Sequence, residues 1–343
     1  MTFNWIHYKM LNPDLKKNGM STMQQYIAHY NRYGKSEGRS KSIYDVYPDF
    51  NWMEYKKKYI QLKTKEDCEC HFLTLHINKT NDNIILNNIK IKPYIVVGLT
   101  TTPSRIKYIK PTLDSIINQI YKPDRIILSI PTILNRTGEV FPELPDEINS
   151  LVVNNIIEIN RTNDYGPATK FVGILEKESN PDSFILWCDD DIIYNSQWSL
   201  YLVNELINNP KTALCVAGCN IQYINNKYIT RGITRHLDKC QILEGFNGVI
   251  CRLNDMPNLS NFPKISLEEY NSFTNVQKAK YLSDDVVISY LLRKNNISTL
   301  VCNDNRLNRS NSIIVTELGL QSDALHKQIG GNTSNYILVI NNI

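Results

Sequence analysis

No apolar run in this 343-residue chain approaches the roughly 20 residues that a bilayer-spanning helix needs, so no membrane span is expected. The amino-terminal stretch MTFNWIHYKMLNPDLKK has neither a long apolar core nor a small-residue cleavage site, and no secretory leader is read there. Charge of one sign is also scarce. The 38 Lys and Arg stand against 34 Asp and Glu, and a net charge of +4 is too small and too dispersed to argue for a nucleic-acid partner. The lysines of the first 65 residues lie among tyrosines and leucines, the texture of a solvated helical surface.

Cysteine is too sparse for a disulfide framework in a chain of this length. Eight are present, and Cys188, Cys215 and Cys251 sit within apolar runs, where a thiol packs as a small hydrophobe. Cys68-Glu69-Cys70-His71 lacks the second ligand pair that a zinc site needs. The N-x-S/T triplets at Asn78, Asn135 and Asn160 are what an asparagine-rich chain produces by chance. A reducing, cytoplasmic setting is the simplest expectation. No Ser or Cys is poised with a base for nucleophilic catalysis, and His7, His29, His71, His76 and His236 offer no catalytic pattern.

What the chain does contain is ordinary globular material, 42% hydrophobic and 21% charged, enough for one large core and a smaller domain. Residues 1–80 carry a degenerate repeat: Phe3-Asn4-Trp5 with Tyr8-Lys9 returns as Phe50-Asn51-Trp52 with Tyr55-Lys56. Leu15-Lys16 and His29 match Leu62-Lys63 and His76 at the same offset. Each unit reads as two short helices turning at a position such as Asn18-Gly19. Ser21 or Thr22 is the expected cap of the second helix, Gly34 its end, and Trp5 with Tyr8 a small core. This segment is read as a separate α-helical module, an adaptor whose partner would be a protein.

From about residue 90 to residue 343 the texture changes to alternating strand and helix. Strands are expected at Tyr94–Leu99, Arg125–Ile130, Ile156–Ile159 and Phe184–Cys188. A helix bears Ile106, Ile109, Leu113, Ile116, Ile117 and Ile120 on one face, and another spans Pro167–Lys177. A helix near Gln197–Asn208 precedes strands at Leu214–Tyr223 and Lys227–Thr230, which turn at Asn225-Asn226. Gly248–Cys251 and a helix near Asp284–Lys294 follow. The alternation implies an α/β, Rossmann-like domain whose mainly parallel mixed sheet is flanked by helices. Ligands in such sheets settle beyond the carboxyl ends of the strands, which is where Thr100–Thr102 and Asp189–Asp191 fall.

The second of these is the unusual one. An apolar run ends at WCDDDIIY in three consecutive carboxylates, whose mutual repulsion calls for a compensating cation. TTTPSRI, SIINQIYKPDRIILSIP, NDYGPATK, ILWCDDDIIY, EGFNGV and SDDVVISYLL occur in that order over residues 94–295. Together they resemble the nucleotide-sugar-dependent glycosyltransferases of the GT-A fold, family-2-like.

The resemblance implies transfer of a hexose or hexosamine from a nucleotide sugar, UDP-linked by expectation, to a hydroxyl of a glycan or glycoside. By similarity Asp191 and Asp189 would bind Mn²⁺ or Mg²⁺ through a DxD motif, with His326 as a third candidate ligand. Thr101, Arg105, Asp164, Lys170, Asp189 and Asp190 would line the nucleotide. Glu244, Gly245 and Asn247 would meet the acceptor, and Asp285, or its neighbour Asp284, would take the proton of the attacking hydroxyl in an inverting reaction. Simpler readings stand beside these: helix capping for the threonines and for one of the two aspartates, a surface role for Lys170 and His326, a solvated turn for the triplet. At the level of the whole chain the alternatives are a nucleotidyltransferase, or a glycan- or partner-binding protein on a catalytically degenerate scaffold.

Overall fold

The computed structural model describes residues 3–47, 50–58, 64–70, 73, 93–225, 227–303, 307, 313–314 and 336–339. The chain divides into two compact units, Met1–Asn88 and Ile89–Ile343. No helix among the described residues is long and apolar enough to cross a membrane. All eight cysteines are free thiols.

The first unit is helical where it is described. Helices run over Trp5–Leu11, Pro13–Lys17, Met23–His29, Ile43–Val46 and Trp52–Lys58, and residues 65–70 are helical as well. Gly19 takes φ +89° at the expected turn. Thr22 caps the Met23–His29 helix in a capping box with Gln25. That helix runs on into a π-helical turn, Tyr30–Gly34. Gly34 is the last residue of the turn, and a side chain there would strike the Tyr8 hydroxyl. Tyr8, Leu15 and Tyr26 form the small core, with Phe3, Trp5, Met20 and Tyr30 packed against it.

The second unit is built on an eight-stranded mixed sheet. Its strands are β1 (Ile95–Thr100), β2 (Arg125–Pro131), β5 (Glu158–Thr162), β6 (Phe184–Trp187), β8 (Thr212–Ile224), β9 (Lys227–Gly232), β10 (Ile242–Arg252) and β11 (Ser298–Val301). β3 (Ile133–Leu134) and β4 (Glu139–Val140) form a small ribbon, as do β7 (Ile192–Ile193) and β12 (Ile313–Ile314). Across the sheet the order is β11-β8-β10-β6-β1-β2-β5, with β9 paired to β8. β5, β2, β1 and β6 run parallel, β11 is parallel to β8, and β10 is antiparallel to both β6 and β8. β1 and β6 are buried nearly throughout, as interior parallel strands must be. Successive strands step from β1 to β2 to β5, and the chain then returns to the other side of β1 to lay down β6. The sheet's switch point therefore lies between β1 and β6, where a ligand crevice opens.

Two glycines bring a helix down onto this point. The Thr169–Lys177 helix packs over β1 and β2. A Cβ on Gly98 of β1 would lie 2.3 Å from the Lys170 carbonyl oxygen, and one on Gly173 would lie 1.8 Å from Ser129 Oγ of β2. The close approach sets Lys170, at the start of the helix, near the carboxyl end of β1.

Several expected boundaries move. The Ile106–Ile120 periodicity divides into a 3₁₀ turn, Ile106–Tyr108, and a helix, Lys110–Ile117, because Pro111 opens a new first turn. The Pro167–Lys177 helix begins at Thr169, and β5 begins at Glu158 rather than Ile156. A helix at Asp146–Val153, too short for its periodicity to stand out, closes through Asn155 at φ 56° and displaces the strand start. The Gly248–Cys251 strand is the end of the longer β10.

Gly98→Ala should destabilise the chain by about 1–3 kcal/mol, the ordinary cost of overpacking a filled core. Gly232→Ala, where an added Cβ meets nothing within 4 Å, should stay within about 0.5 kcal/mol of wild type. Urea denaturation of both variants checks the difference.

Candidate active site

The acidic turn begins two residues beyond the end of β6, after Cys188, whose amide still donates to the Gly98 carbonyl (3.2 Å). Its middle member, Asp190, is buried and tied to the end of β1. Thr101 Oγ1 donates to Asp190 Oδ2 (2.5 Å), and Thr112 Oγ1 donates to the Asp190 carbonyl (2.8 Å). Arg105 Nη2 lies 2.8 Å from Asp190 Oδ1 and 2.7 Å from Asp191 Oδ2. Burial pushes the Asp190 carboxyl up to about 6 against the pull of Arg105, and raises Asp191 as well. Burial opposes the Arg105 charge, but the surrounding aspartates outweigh it and hold the guanidinium protonated. Thr101, Arg105, Asp189, Asp190 and Asp191 thus share one corner, as the strand ends require.

Lys170 carries the arrangement across. Its buried ammonium donates to Asp189 Oδ1 (2.8 Å) and sits 3.0 Å from Asp284 Oδ2. Burial alone would strip the proton from such a lysine. Asp189, Asp284 and Asp285 reverse that and raise it. The cation sought for the triplet is therefore supplied in part by the chain itself, through Lys170 and Arg105.

Asp284 and Asp285 occupy the first turn of the Asp284–Lys294 helix but differ in setting. Asp284 is buried against Lys170. Asp285 is only partly buried and accepts from the Gly245 amide at Oδ1 (3.0 Å) and from the Tyr336 hydroxyl at Oδ2 (3.1 Å). Burial and the neighbouring Asp284 charge place the Asp285 carboxyl well above the usual carboxylate range.

EGFNG is a bulge inside β10 rather than a turn: the register with β8 shifts between Glu244 and Val249, and Gly248 takes φ +99°. A Cβ on Gly248 would collide with the Trp198 ring, and one on Gly245 would lie 2.9 Å from Lys170 Nζ. Trp198 Nε1 donates to the Asn247 carbonyl (2.8 Å), and the Tyr194 hydroxyl donates to the Phe246 carbonyl (2.9 Å) while accepting from the Asp189 amide (3.1 Å). Tyr194 so ties the acidic turn to the bulge. Asn247 is buried with no hydrogen-bond partner for Oδ1 among the described residues, and Glu244, three residues earlier in the strand, is partly exposed.

Asp164 is placed differently from the others. Its carboxylate accepts the backbone amides of Asn135 (2.6 Å) and Gly166 (2.7 Å), and Tyr281 donates to its carbonyl (2.9 Å). It shapes the turn ahead of the Thr169–Lys177 helix. His326 lies outside the described residues. Among the described residues, no three His, Cys, Asp or Glu side chains are grouped to hold a metal. Asp189 and Asp191 nonetheless suit a hard cation that takes one or two protein carboxylates and completes its shell with phosphate and water. Their side chains are 35% and 22% exposed, against 5% for Asp190. A cavity of about 640 Å³, bounded by Asn220, Gln222, Gln241 and Arg293, lies apart from these carboxylates and includes none of them.

Sequence reasoning missed Tyr194, Thr112 and Tyr336. Tyr194 carried a signal, an aromatic hydroxyl three residues beyond the triplet. Tyr336 carried none, since it arrives from 51 residues beyond Asp285.

No family profile matches the chain, and no curated protein matches it in sequence. Among solved structures it is similar to S. aureus TarS, at 14% identity and TM-score 0.40 over 62% of this chain and 35% of that one. It is also similar to a 4-diphosphocytidyl-2C-methyl-D-erythritol synthase, at 9% identity and TM-score 0.37 over 64% of this chain and 92% of that one. A third is the glucosyl-3-phosphoglycerate synthase from Mycobacterium tuberculosis in complex with Mn²⁺, UDP and glucosyl-3-phosphoglycerate. There the identity is 14% and the TM-score 0.27, over 36% of this chain and 43% of that one. The chain thus spans about a third of the length of TarS. At these identities and scores the likenesses add nothing to the chemistry read from the side chains.

The burial of Asp190 has a consequence for stability. An unfolded aspartate titrates near the ordinary 3.8, and the folded one near 6, so the stability that Asp190 contributes is complete below about pH 4 and is lost as the pH rises through about 6. Asp190→Asn, which has no such titration, should therefore gain on wild type by about 2–3 kcal/mol between pH 4 and pH 7. Paired urea denaturation curves across that range measure it, and a constant difference would refute it.

Proposed function

We propose that the second unit is a metal-dependent glycosyltransferase of the GT-A type. It moves a hexose or hexosamine from a nucleotide sugar, UDP-linked in our reading, to a hydroxyl of a glycan or glycoside. One observation carries the proposal. An acidic turn, a buried lysine and a pair of helix-start aspartates converge at the sheet's switch point, although they come from three separate stretches of sequence.

In this reading Lys170 and Arg105 exchange part of their carboxylate pairing for the diphosphate of the donor, so that positive charge already fixed in the site faces the leaving group. Asp191 and Asp189 would hold Mn²⁺ or Mg²⁺, which supplies further neutralisation of the departing diphosphate. Asp285, partly exposed and held by two donors, accepts the proton of the acceptor hydroxyl. That oxygen bonds to the anomeric carbon, and the carbon–oxygen bond to the diphosphate breaks with its electron pair remaining on the phosphate oxygen. Inversion follows from attack on the face opposite the leaving group. Glu244, next to the Gly245 whose amide Asp285 accepts, and the Asn247 amide further along the bulge would be the side chains offered to acceptor hydroxyls. Thr101 and Asp190 brace Arg105, and Asp164 shapes the turn ahead of the Thr169–Lys177 helix at the edge of the nucleotide site.

The ion pairs among these groups are also what a degenerate binding scaffold would keep, and turnover separates the two. Wild-type protein should consume a UDP-sugar in a Mn²⁺-dependent reaction that falls by about 10²-fold or more in Asp191→Ala and in Asp285→Asn. Screening a panel of nucleotide sugars with glycan acceptors measures this. Tight glycan binding without turnover of any donor would support the scaffold instead.

A further inference from the structure

Asp285 is held at both oxygens by groups from two different parts of the chain. The Gly245 amide, in the β10 bulge, donates to Oδ1, and the Tyr336 hydroxyl donates to Oδ2. A carboxylate gripped at one oxygen still turns about its last torsion. Gripped at both, it is fixed in plane. Tyr336 is seated by its own packing: it is buried with Val339 against Cys219, Ile242, Ala279 and Val286, a cluster separate from the main core. We infer that Tyr336 is a positioning residue for Asp285, brought in by residues 336–339 to fix the plane of the proton-accepting carboxylate. The inference rests on the reading of Asp285 given under Proposed function.

The chemistry of the pair runs in one direction. Burial, then the Asp285, Asp284 and Glu244 carboxylates, drive the Tyr336 phenol far above its ordinary value, so the hydroxyl keeps its proton and donates. The charged groups around Asp285 are Asp284 on its own helix, Lys170 on the helix across β1, Asp189 at the end of β6 and Glu244 on β10. Of these only Lys170 favours the ionised form, so each donated hydrogen bond weighs heavily in keeping Asp285 a carboxylate.

Tyr336→Phe keeps the ring and removes the donor. In full-length protein labelled with carboxyl-¹³C aspartate, with the Asp285 signal identified by its loss in Asp285→Asn, the titration midpoint should rise by about one pH unit. With a turned-over donor, kcat should fall about tenfold with the donor KM unchanged, and the acid limb of its pH profile should move up with the midpoint. Ile148→Ala, which cuts a buried side chain of the Asp146–Val153 helix outside this cluster, should lower the melting temperature and leave midpoint and kcat in place. An unmoved midpoint in Tyr336→Phe overturns the inference, and so does a moved midpoint with unchanged kcat or an equal shift in Ile148→Ala. If the midpoint rises but wild type turns over no nucleotide sugar, the grip of Tyr336 on Asp285 stands and the transferase reading falls.

Discussion

Five aspartates and two basic side chains share a corner of this protein, and their charge balance is the constraint on which the rest of the site depends. Asp189, Asp190, Asp191, Asp284 and Asp285 face Lys170 and Arg105. Removing any of these carboxylates from water costs several kcal/mol unless a cation or a donor meets it. The two cations offset two charges, leaving three for protons, hydrogen-bond donors or an added cation. Asp190, Asp191, Asp284 and Asp285 show that shortage, since burial raises each of these carboxyls. Asp190, the most buried, is held by Thr101 and Arg105 and is still pushed up to about 6, because burial outweighs both. A chain that merely needed stability would not carry this many carboxylates in one place. A site that must receive a divalent ion and a polyphosphate gains from a negative excess edged by basic groups, since both partners find opposite charge already in place.

The backbone makes the convergence possible. Lys170 reaches Asp189 because its helix lies so near β1 and β2 that a side chain at Gly98 or Gly173 would collide across the contact. Gly245 and Gly248 do the same on the opposite wall: the first leaves room for the Lys170 ammonium, the second lies beneath the Trp198 ring. The Tyr194–Trp198 stack, with ring centroids 4.3 Å apart, then anchors the bulge by hydrogen bonds to consecutive carbonyls, Phe246 and Asn247. Small residues at contact points and aromatics bracing the loops leave the charged side chains little freedom to separate.

How much of this was legible follows from the range of the forces involved. The strand runs IVVGLT and FILW announced themselves through continuous β-branched and aromatic composition, and the helix at Asp284–Lys294 through its acidic start and apolar spacing. The placement of Asp189, Lys170 and Asp285 in one corner followed from sheet topology together with the motif order. The short Asp146–Val153, Leu267–Ser272 and Asn275–Leu282 helices were not legible, because six to eight residues give too few turns for periodicity to register. Pairings across long sequence separations were also hidden. Nothing near Asp190 says that Arg105 neutralises it, and the identity of the compensating cation was read as a metal alone when the chain supplies two of its own. The partners of Asp164 were hidden in the same way: its carboxylate accepts the Asn135 amide from 29 residues away as well as that of nearby Gly166.

Adjacent Asp284 and Asp285 show how one local motif divides into two roles. Consecutive residues at a helix start diverge by about 100° around its axis, so Asp284 is buried while Asp285 stays partly exposed. Asp284 is spent on Lys170, and protonating it would leave the buried ammonium with Asp189 as its remaining close partner. Asp285 has no cation within ion-pair distance among the described residues and is held by neutral donors alone. A carboxylate locked against a buried lysine is a poor proton acceptor, because gaining a proton breaks the pair. One held by an amide and a phenol loses far less on protonation. The neighbouring charge on Asp284 raises the basicity of Asp285 further, so the less buried of the two is also the stronger base.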